Sequence, residues 1–324
     1  WLLLKNGGND CFLNAALQYL RRARDLKSAL EKWEAPQDSN KSEKQQAREW
    51  LLSGLWQLLD VEGEEDPREF RQCLPQVIGS LEKNFLTSQQ DAYEILTKIF
   101  DDVIPESVGK KFVVESARKR RCRDNEQCKG LELVVSGPIH YQHIGSMNQI
   151  VDLEALLSDE WREVEGENEL RHCSACCECC TAAREGHDEG RCEECRGDNK
   201  EYVEHQRFQF KGDSEYALVA FNILHESERV DWALAKNCNM DKMKLMGHTW
   251  KAVAVIKHIG VARENWSTGH YVCYTREDDN QWWLHDDALT PRPIGRKYRV
   301  RSGYSYPFGT TDMQGVLAVL FQKI

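Results

Sequence analysis

The chain reads as an α+β protein, because helical and strand-like patterning are segregated along it instead of alternating. Residues 1–108 carry the helical periodicities, 109–222 mix strand-like runs with a dense cysteine cluster, and 223–324 return to strands. In the first part Phe12, Leu13, Ala16, Leu17 and Leu20 recur at three- and four-residue steps after the turn-forming run Gly7-Gly8-Asn9-Asp10. That pattern predicts an amphipathic helix starting at Cys11. A polar segment from Ala35 to Arg48, an apolar EWLLSGLWQLL helix, the acidic break EGEEDP and a helix in SQQDAYEILTKIF follow. LELVVSGPI and EYALVAFNIL supply strands to the middle part, and TWKAVAVIKHIG, HYVCYTRED and NQWWLHDDALT to the last, the final two as a hairpin. At 324 residues the chain is long enough to bury a sizeable core, and large mixed folds of this length occur as one domain.

The chemistry concentrates on Cys11. A thiol attacks as thiolate, which needs a nearby imidazole, a helix N-terminus, or both. The predicted helix start supplies unpaired N–H groups and the positive end of the macrodipole. Taken alone, Cys11 would read as a small buried apolar residue. Asn6, on the turn before it, is placed to donate its amide to an oxyanion. Asp10 runs the other way: a carboxylate beside a thiolate opposes ionisation, unless it serves as a cap for the helix.

The partner imidazole must come from elsewhere in the chain, and His270 stands out among ten histidines. It begins a strand, after Gly269, whose missing side chain permits close backbone approach or an unusual turn. Alternation places His270, Val272 and Tyr274 on one face and Tyr271 and Cys273 on the other. The next strand ends in Asp286 and Asp287, so a hairpin brings a carboxylate back to His270 as its orienting acceptor. His258 and His285 read instead as core or edge histidines.

A net charge of −10 argues against nucleic acid as the main partner, since that binding rests on phosphate neutralisation. An acidic face suits a basic peptide tail. No apolar stretch approaches the roughly 18 residues of a membrane span, and WLLL is too short for a signal-peptide core. The chain begins with Trp, which reads as an excised domain. Thirteen cysteines, an odd number in a large chain, point to metal and not to disulfides. Cys173 and Cys176 form one Cys-x-x-Cys and Cys192 and Cys195 another, with 15 residues between them, close to a four-thiolate structural zinc pattern. Cys177, Cys179, Cys180, His172 and His187 would suffice for a second ion; a reduced loop without metal is the alternative. The basic run from Ala117 to Arg123 reads as a solvated loop before it reads as a nuclear localisation signal.

NGGNDCFLNAALQ resembles the cysteine box of the ubiquitin-specific proteases, papain-like deubiquitinases, through Asn6, Gly8, Asn9, Cys11, Phe12, Asn14, Ala15, Leu17 and Gln18, with Asp10 departing from the pattern. SQQDAYEIL is similar to their QQDA helix through Gln89, Gln90, Asp91, Ala92, Glu94 and Leu96. HIG at His258, GHYVCY at Gly269 and WWLHDD at Trp282 resemble the histidine box, and QGVLAVLFQKI the closing strand. The resemblance implies a hand-like papain fold with a helical thumb (1–108), fingers (109–222) and palm (223–324). It implies Cys11 as nucleophile, His270 as base, Asn6 as oxyanion donor, Asp286 as the orienting acid and Asp287 in support. Gln90, Asp91, Gly269 and Tyr271 fall where relatives meet the ubiquitin tail. It also implies ubiquitin or ubiquitinated proteins as partners, no organic cofactor, a monomer, and a cytoplasmic or nuclear location.

The zinc ligands stay open under this resemblance. In relatives the two cysteine pairs of the fingers lie several tens of residues apart. Cys192 and Cys195 match the second pair, while the first would fall at Cys122 and Cys128, whose spacing is irregular. EYALVAFNILHE departs from the L-P-x-x-L and L-K-R-F strand of relatives. A non-catalytic ubiquitin-binding scaffold and a protease of another ubiquitin-like modifier therefore remain as alternatives.

Overall fold

Helix α1 (Cys11–Arg22) begins where the glycine and asparagine turn gives way to apolar residues. The computed structural model describes residues 2–34, 41–81, 85–122, 131–143, 149–164, 202–222, 224–225, 228–229, 232–234, 239–259, 269–278, 280–287, 296–299 and 315–324. In it every α1 residue from Cys11 to Leu20 is buried, Asn14 and Gln18 included. The sequence is amphipathic as expected, but from Cys11 to Leu20 the polar side is enclosed too, because the helix is the central element between helices and sheet.

Around it lie α2 (Arg24–Glu31), α3 (Glu43–Asp60), α4 (Arg68–Val77) and α5 (Ala92–Lys98). Helix α3 extends well into the segment read as polar, because Ser42 and Gln45 form a reciprocal capping box at its start. Helix α4 was not visible in the sequence pattern, where the acidic break and Pro75 interrupt the periodicity. Its buried residues Phe70, Arg71, Leu74 and Val77 nevertheless form one stripe, with an arginine in an apolar position.

Strands β1 (Leu2–Leu4) and β2 (Gly63–Glu65) make a small parallel pair. Strands β3 (Val114–Cys122), β4 (Leu131–Gly137), β5 (Ile139–His143), β6 (Arg162–Val164), β7 (Tyr202–Phe210) and β8 (Tyr216–Asn222) follow. The last part supplies β9 (Met243–Leu245), β10 (His248–Ile259), β11 (His270–Arg276), β12 (Trp282–Asp286), β13 (Arg296–Arg299) and β14 (Val316–Lys323). One four-stranded sheet has the order β4-β3-β7-β6. The other, of eight strands, runs β13-β12-β11-β10-β14-β8-β5, with β9 paired to β10. Strands β5 and β8, from residues 109–222, therefore belong to the same sheet as the C-terminal strands. The basic run is no loop: through Cys122 it is β3, paired with β7 along its length and with β4 through Arg120, with Ala117 buried.

The core joins α1 to the eight-stranded sheet, both faces of which are buried at its centre: Phe12, Leu13 and Leu17 on the helix and Val255, Ile256, Val319 and Leu320 on the strands are all buried. This placement sets the N-terminus of α1 against β11. It brings the two ends of the chain together.

Candidate active site

The turn before α1 is held from within. Gly8 (φ +108) and Asn9 (φ +58) are both in the left-handed region, which suits glycine and, among other residues, asparagine best. Oδ1 of Asn6 accepts from the Gly8 N–H at 2.9 Å and the Asp10 N–H at 3.3 Å. This fixes the amide of Asn6 and turns its NH2 group toward the carboxylate of Asp287, on which it acts as a hydrogen-bond donor. Cys11 is the first residue of α1, as the sequence predicts, and is 3% exposed.

Asp10 takes neither role expected of it. It makes no side-chain cap bond to α1. One carboxylate oxygen accepts from the Gly7 N–H at 2.7 Å and the other is paired with the Arg71 guanidinium. Its charge is thus compensated by a cation and turned into the loop. Arg71 has no counterpart in the sequence reading, although its place on the apolar stripe of α4 was a usable signal.

His270 opens β11 beside Cys11. In the β11–β12 hairpin Cys273 faces His285, which puts Asp286 on the side of the sheet that carries Val272 and His270. The Nε2 of His270 is 2.8 Å from Asp286 Oδ1 and 3.8 Å from Asp287 Oδ1. Cys11 acts on the same imidazole through hydrogen bonding and charge, both of which raise its pKa. Burial by itself would lower the pKa of this imidazole. The hydrogen bonds to Asp286 and Cys11, with the charges of Cys11 and Asp287, outweigh it and raise His270 to about 10. Asp287 is nearly enclosed; burial raises its pKa, against hydrogen bonding from Asn14, the charge of His270 and hydrogen bonding from Asn6. Asn14, on α1, donates to Asp287 and at 3.2 Å to the Lys5 carbonyl, a link between helix, hairpin and N-terminal strand that the sequence did not reveal.

Gly269 has φ +116, and a side chain there would meet the His258 ring and the Ile259 carbonyl. Tyr271 is buried with its ring 4.7 Å from that of His258. Burial, with the nearby charges of Asp91 and Cys11, holds its phenol well above the usual range. Asp91 caps α5: its carboxylate accepts from the Tyr93 N–H at 2.7 Å, while Ser88 Oγ accepts from Gln90 at 2.7 Å. Burial pushes the Asp91 carboxyl up to about 6, so it is charged at neutral pH. The side chains of Cys173, Cys176, Cys192 and Cys195 lie outside the described residues. His270, Asp286 and Asp287 are a group of metal-ligand type among the described residues, but the imidazole is already shared between Asp286 and Cys11.

The arrangement joins a thiol at a helix start, an imidazole and a carboxylate, with the Asn6 amide fixed on the turn before the thiol. No curated protein matches the chain. Among solved structures, it is similar to the SAGA Ubp8/Sgf11/Sus1/Sgf73 DUB module bound to ubiquitin aldehyde, at 12% identity and a TM-score of 0.58, over 99% of this chain and 69% of the other. That likeness bears on the fold and agrees with the papain-like α+β hand expected from the motifs. The family model for ubiquitin carboxyl-terminal hydrolase matches residues 3–306. With the cysteine box, the QQDA helix and the histidine box all inside that match, the chain belongs to the ubiquitin carboxyl-terminal hydrolase family, as a cysteine-type deubiquitinating peptidase.

Proposed function

We propose that Cys11, His270 and Asp286 hydrolyse the peptide or isopeptide bond after the C-terminal glycine of ubiquitin. The position of His270, 2.8 Å from Asp286 and raised in pKa by both Asp286 and Cys11, is the observation that carries this assignment. An imidazole raised to about 10 holds its proton at neutral pH and can pass it to a leaving amine. The thiolate attacks the glycine carbonyl, and the Asn6 amide with the backbone N–H groups at the start of α1 receives the oxyanion. His270 protonates the departing amine. A water that gives its proton to His270 then cleaves the thioester. Asp287 supports the site through Asn14 and Asn6.

On this reading Gly269 and Tyr271 border the path of the ubiquitin tail, whose terminal glycines carry no side chains. Gln90 and the charged Asp91 face a basic tail from the other bank. The experiment is reaction with ubiquitin bearing a C-terminal electrophile, beside the same probe on related modifiers. A covalent adduct with ubiquitin, lost in Cys11→Ser, is the expected result. Adducts only with another modifier would reassign the substrate, and none at all would favour a binding scaffold.

The chain is divided into thumb (1–108), fingers (109–222) and palm (223–324), with β5 and β8 contributing to the palm sheet. A structural zinc ion is held in the fingers. Its support is the thiolate spacing, together with the way β3 ends at Cys122 opposite Tyr202, where the segment holding the other cysteines rejoins the sheet. Cys173, Cys176, Cys192 and Cys195 are the first ligand set to test, with Cys122 and Cys128 as the rival pair. Reduced, chelator-free protein should contain at least one zinc per chain by metal analysis. Cys192→Ser should lower that content while Cys11 still reacts with the ubiquitin probe, since the site is built from the chain's two ends. Metal-free protein would remove the zinc, and loss of the whole fold would show that it supports more than the fingers.

No helix among the described residues is long and apolar enough to cross a membrane. Among the described residues Cys11, Cys73 and Cys273 are free thiols, which agrees with a cytoplasmic or nuclear location.

A further inference from the structure

Arg71 is one of the most connected side chains near the site, and nothing in the thiol chemistry itself requires it. Its side chain is 5% exposed, yet it carries a charge. One end of the guanidinium donates to the Asp10 carboxylate and to the Gly8 carbonyl at 3.3 Å. The other donates to the Phe85 carbonyl at 2.6 Å and the Ser88 carbonyl at 3.0 Å. Its plane lies near the rings of Phe12, the residue after the nucleophile, and Phe85, with centroids at 5.2 and 5.5 Å. A planar cation with five donors can make all these bonds at once, whereas an ammonium cannot.

These partners belong to two different segments. Gly8 and Asp10 form the turn that leads into the nucleophile and holds the Asn6 side chain. Phe85 and Ser88 form the segment that leads to Gln90, Asp91 and α5. Asn9 adds a second tie between the two, its amide donating to the Thr87 carbonyl at 3.1 Å. The Asp10 carboxylate extends the network by holding the Gly7 N–H.

We infer that Arg71, paired with Asp10, is a positioning residue that locks the oxyanion turn and the segment before α5 into one rigid unit. The inference deepens the reading of Cys11 as nucleophile and rests on it. It explains Asp10, the position where this chain departs from the cysteine box: the carboxylate is the counter-charge that lets a buried arginine hold the turn. Oxyanion stabilisation depends on donors fixed before the reaction, so loosening the turn should affect turnover more than the thiol's own reactivity.

The test uses Arg71→Lys, which keeps the charge for Asp10 but not the fork, and Asp10→Asn, which keeps an acceptor for Gly7. Three quantities are read: kcat and KM on a fluorogenic ubiquitin amide, the rate of Cys11 alkylation by iodoacetamide, and the melting temperature. The expected result for Arg71→Lys is a kcat lower by about tenfold or more, with KM and alkylation within about twofold of the parent. Asp10→Asn should shift kcat in the same direction by a smaller factor. Turnover unchanged in a folded Arg71→Lys protein overturns the inference. So does a parallel fall of kcat and alkylation in proportion to unfolded protein, which would mark Arg71 as part of the scaffold only. Failure of the parent itself to form the Cys11 adduct with the ubiquitin probe would instead strike the proposed function.

Discussion

Asp286→Asn should lower kcat by about three to four orders of magnitude while the protein stays folded, and Asp287→Asn by only about tenfold. The difference follows from the two distances. Asp286 accepts the Nε2 proton of His270 at 2.8 Å, whereas Asp287 stands 3.8 Å away and is held by Asn14. An asparagine at 286 presents an NH2 group to Nε2 and so favours the tautomer whose proton sits on the nitrogen facing Cys11. That imidazole cannot take up a proton from the thiol. Equal losses in the two variants would show a shared role, and a larger loss at Asp287 would exchange their assignments.

The same variant predicts a change in pH dependence. The folded site raises His270 from 6.5 to about 10, so it stabilises the protonated ring. That contribution is complete below about pH 6.5 and disappears as the pH rises through about 10. The proton that His270 gives to the leaving amine follows the same course, so kcat/KM should fall on the alkaline side as the coupled Cys11–His270 pair loses it. Removing the Asp286 carboxylate should move that limb to lower pH. A limb that stays in place would mean that Cys11 alone sets the imidazole.

The chain's two ends were readable because their constraints are local. Cys11 falls at a helix start because glycines and Asn9 form the turn before it, and β11 and β12 are runs of β-branched and aromatic residues joined by a short connection. Once both were recognised, a hairpin of that length had to return Asp286 to His270. What the sequence concealed depends on contacts between distant segments. Asn14 and Asp287 are 273 positions apart, and Arg71 meets Asp10 across 61. No periodicity reports such pairs. Asp10 was misjudged for the same reason: a carboxylate beside a thiol is read by its neighbour in sequence, and its actual partner sits on α4. The all-round burial of α1 was hidden because Asn14 and Gln18 look like a solvent face until their buried environment is known.

Gly269→Ala should be the most damaging small change outside the thiol, imidazole and carboxylate. The residue has φ +116, where an L side chain is strained by about 1–3 kcal/mol. An added Cβ would stand 2.5 Å from His258 Nε2 and 2.8 Å from the Ile259 carbonyl oxygen. His258 is buried against Tyr271, and Ile259 pairs with His270 across the sheet, so neither neighbour can yield without moving the start of β11. Overpacking of that kind adds a further ~1–3 kcal/mol, and the combined cost should lower the melting temperature by about 5–10 °C. The displaced strand carries His270 as its first residue. A shift of about 1 Å there should cost about a hundredfold in kcat, because imidazole, sulfur and carboxylate must align together. Calorimetry and turnover on the fluorogenic ubiquitin amide measure the two effects separately. An alanine variant with parental melting temperature and turnover would show that the backbone at 269 relaxes freely, and that its conformation does not set the position of His270.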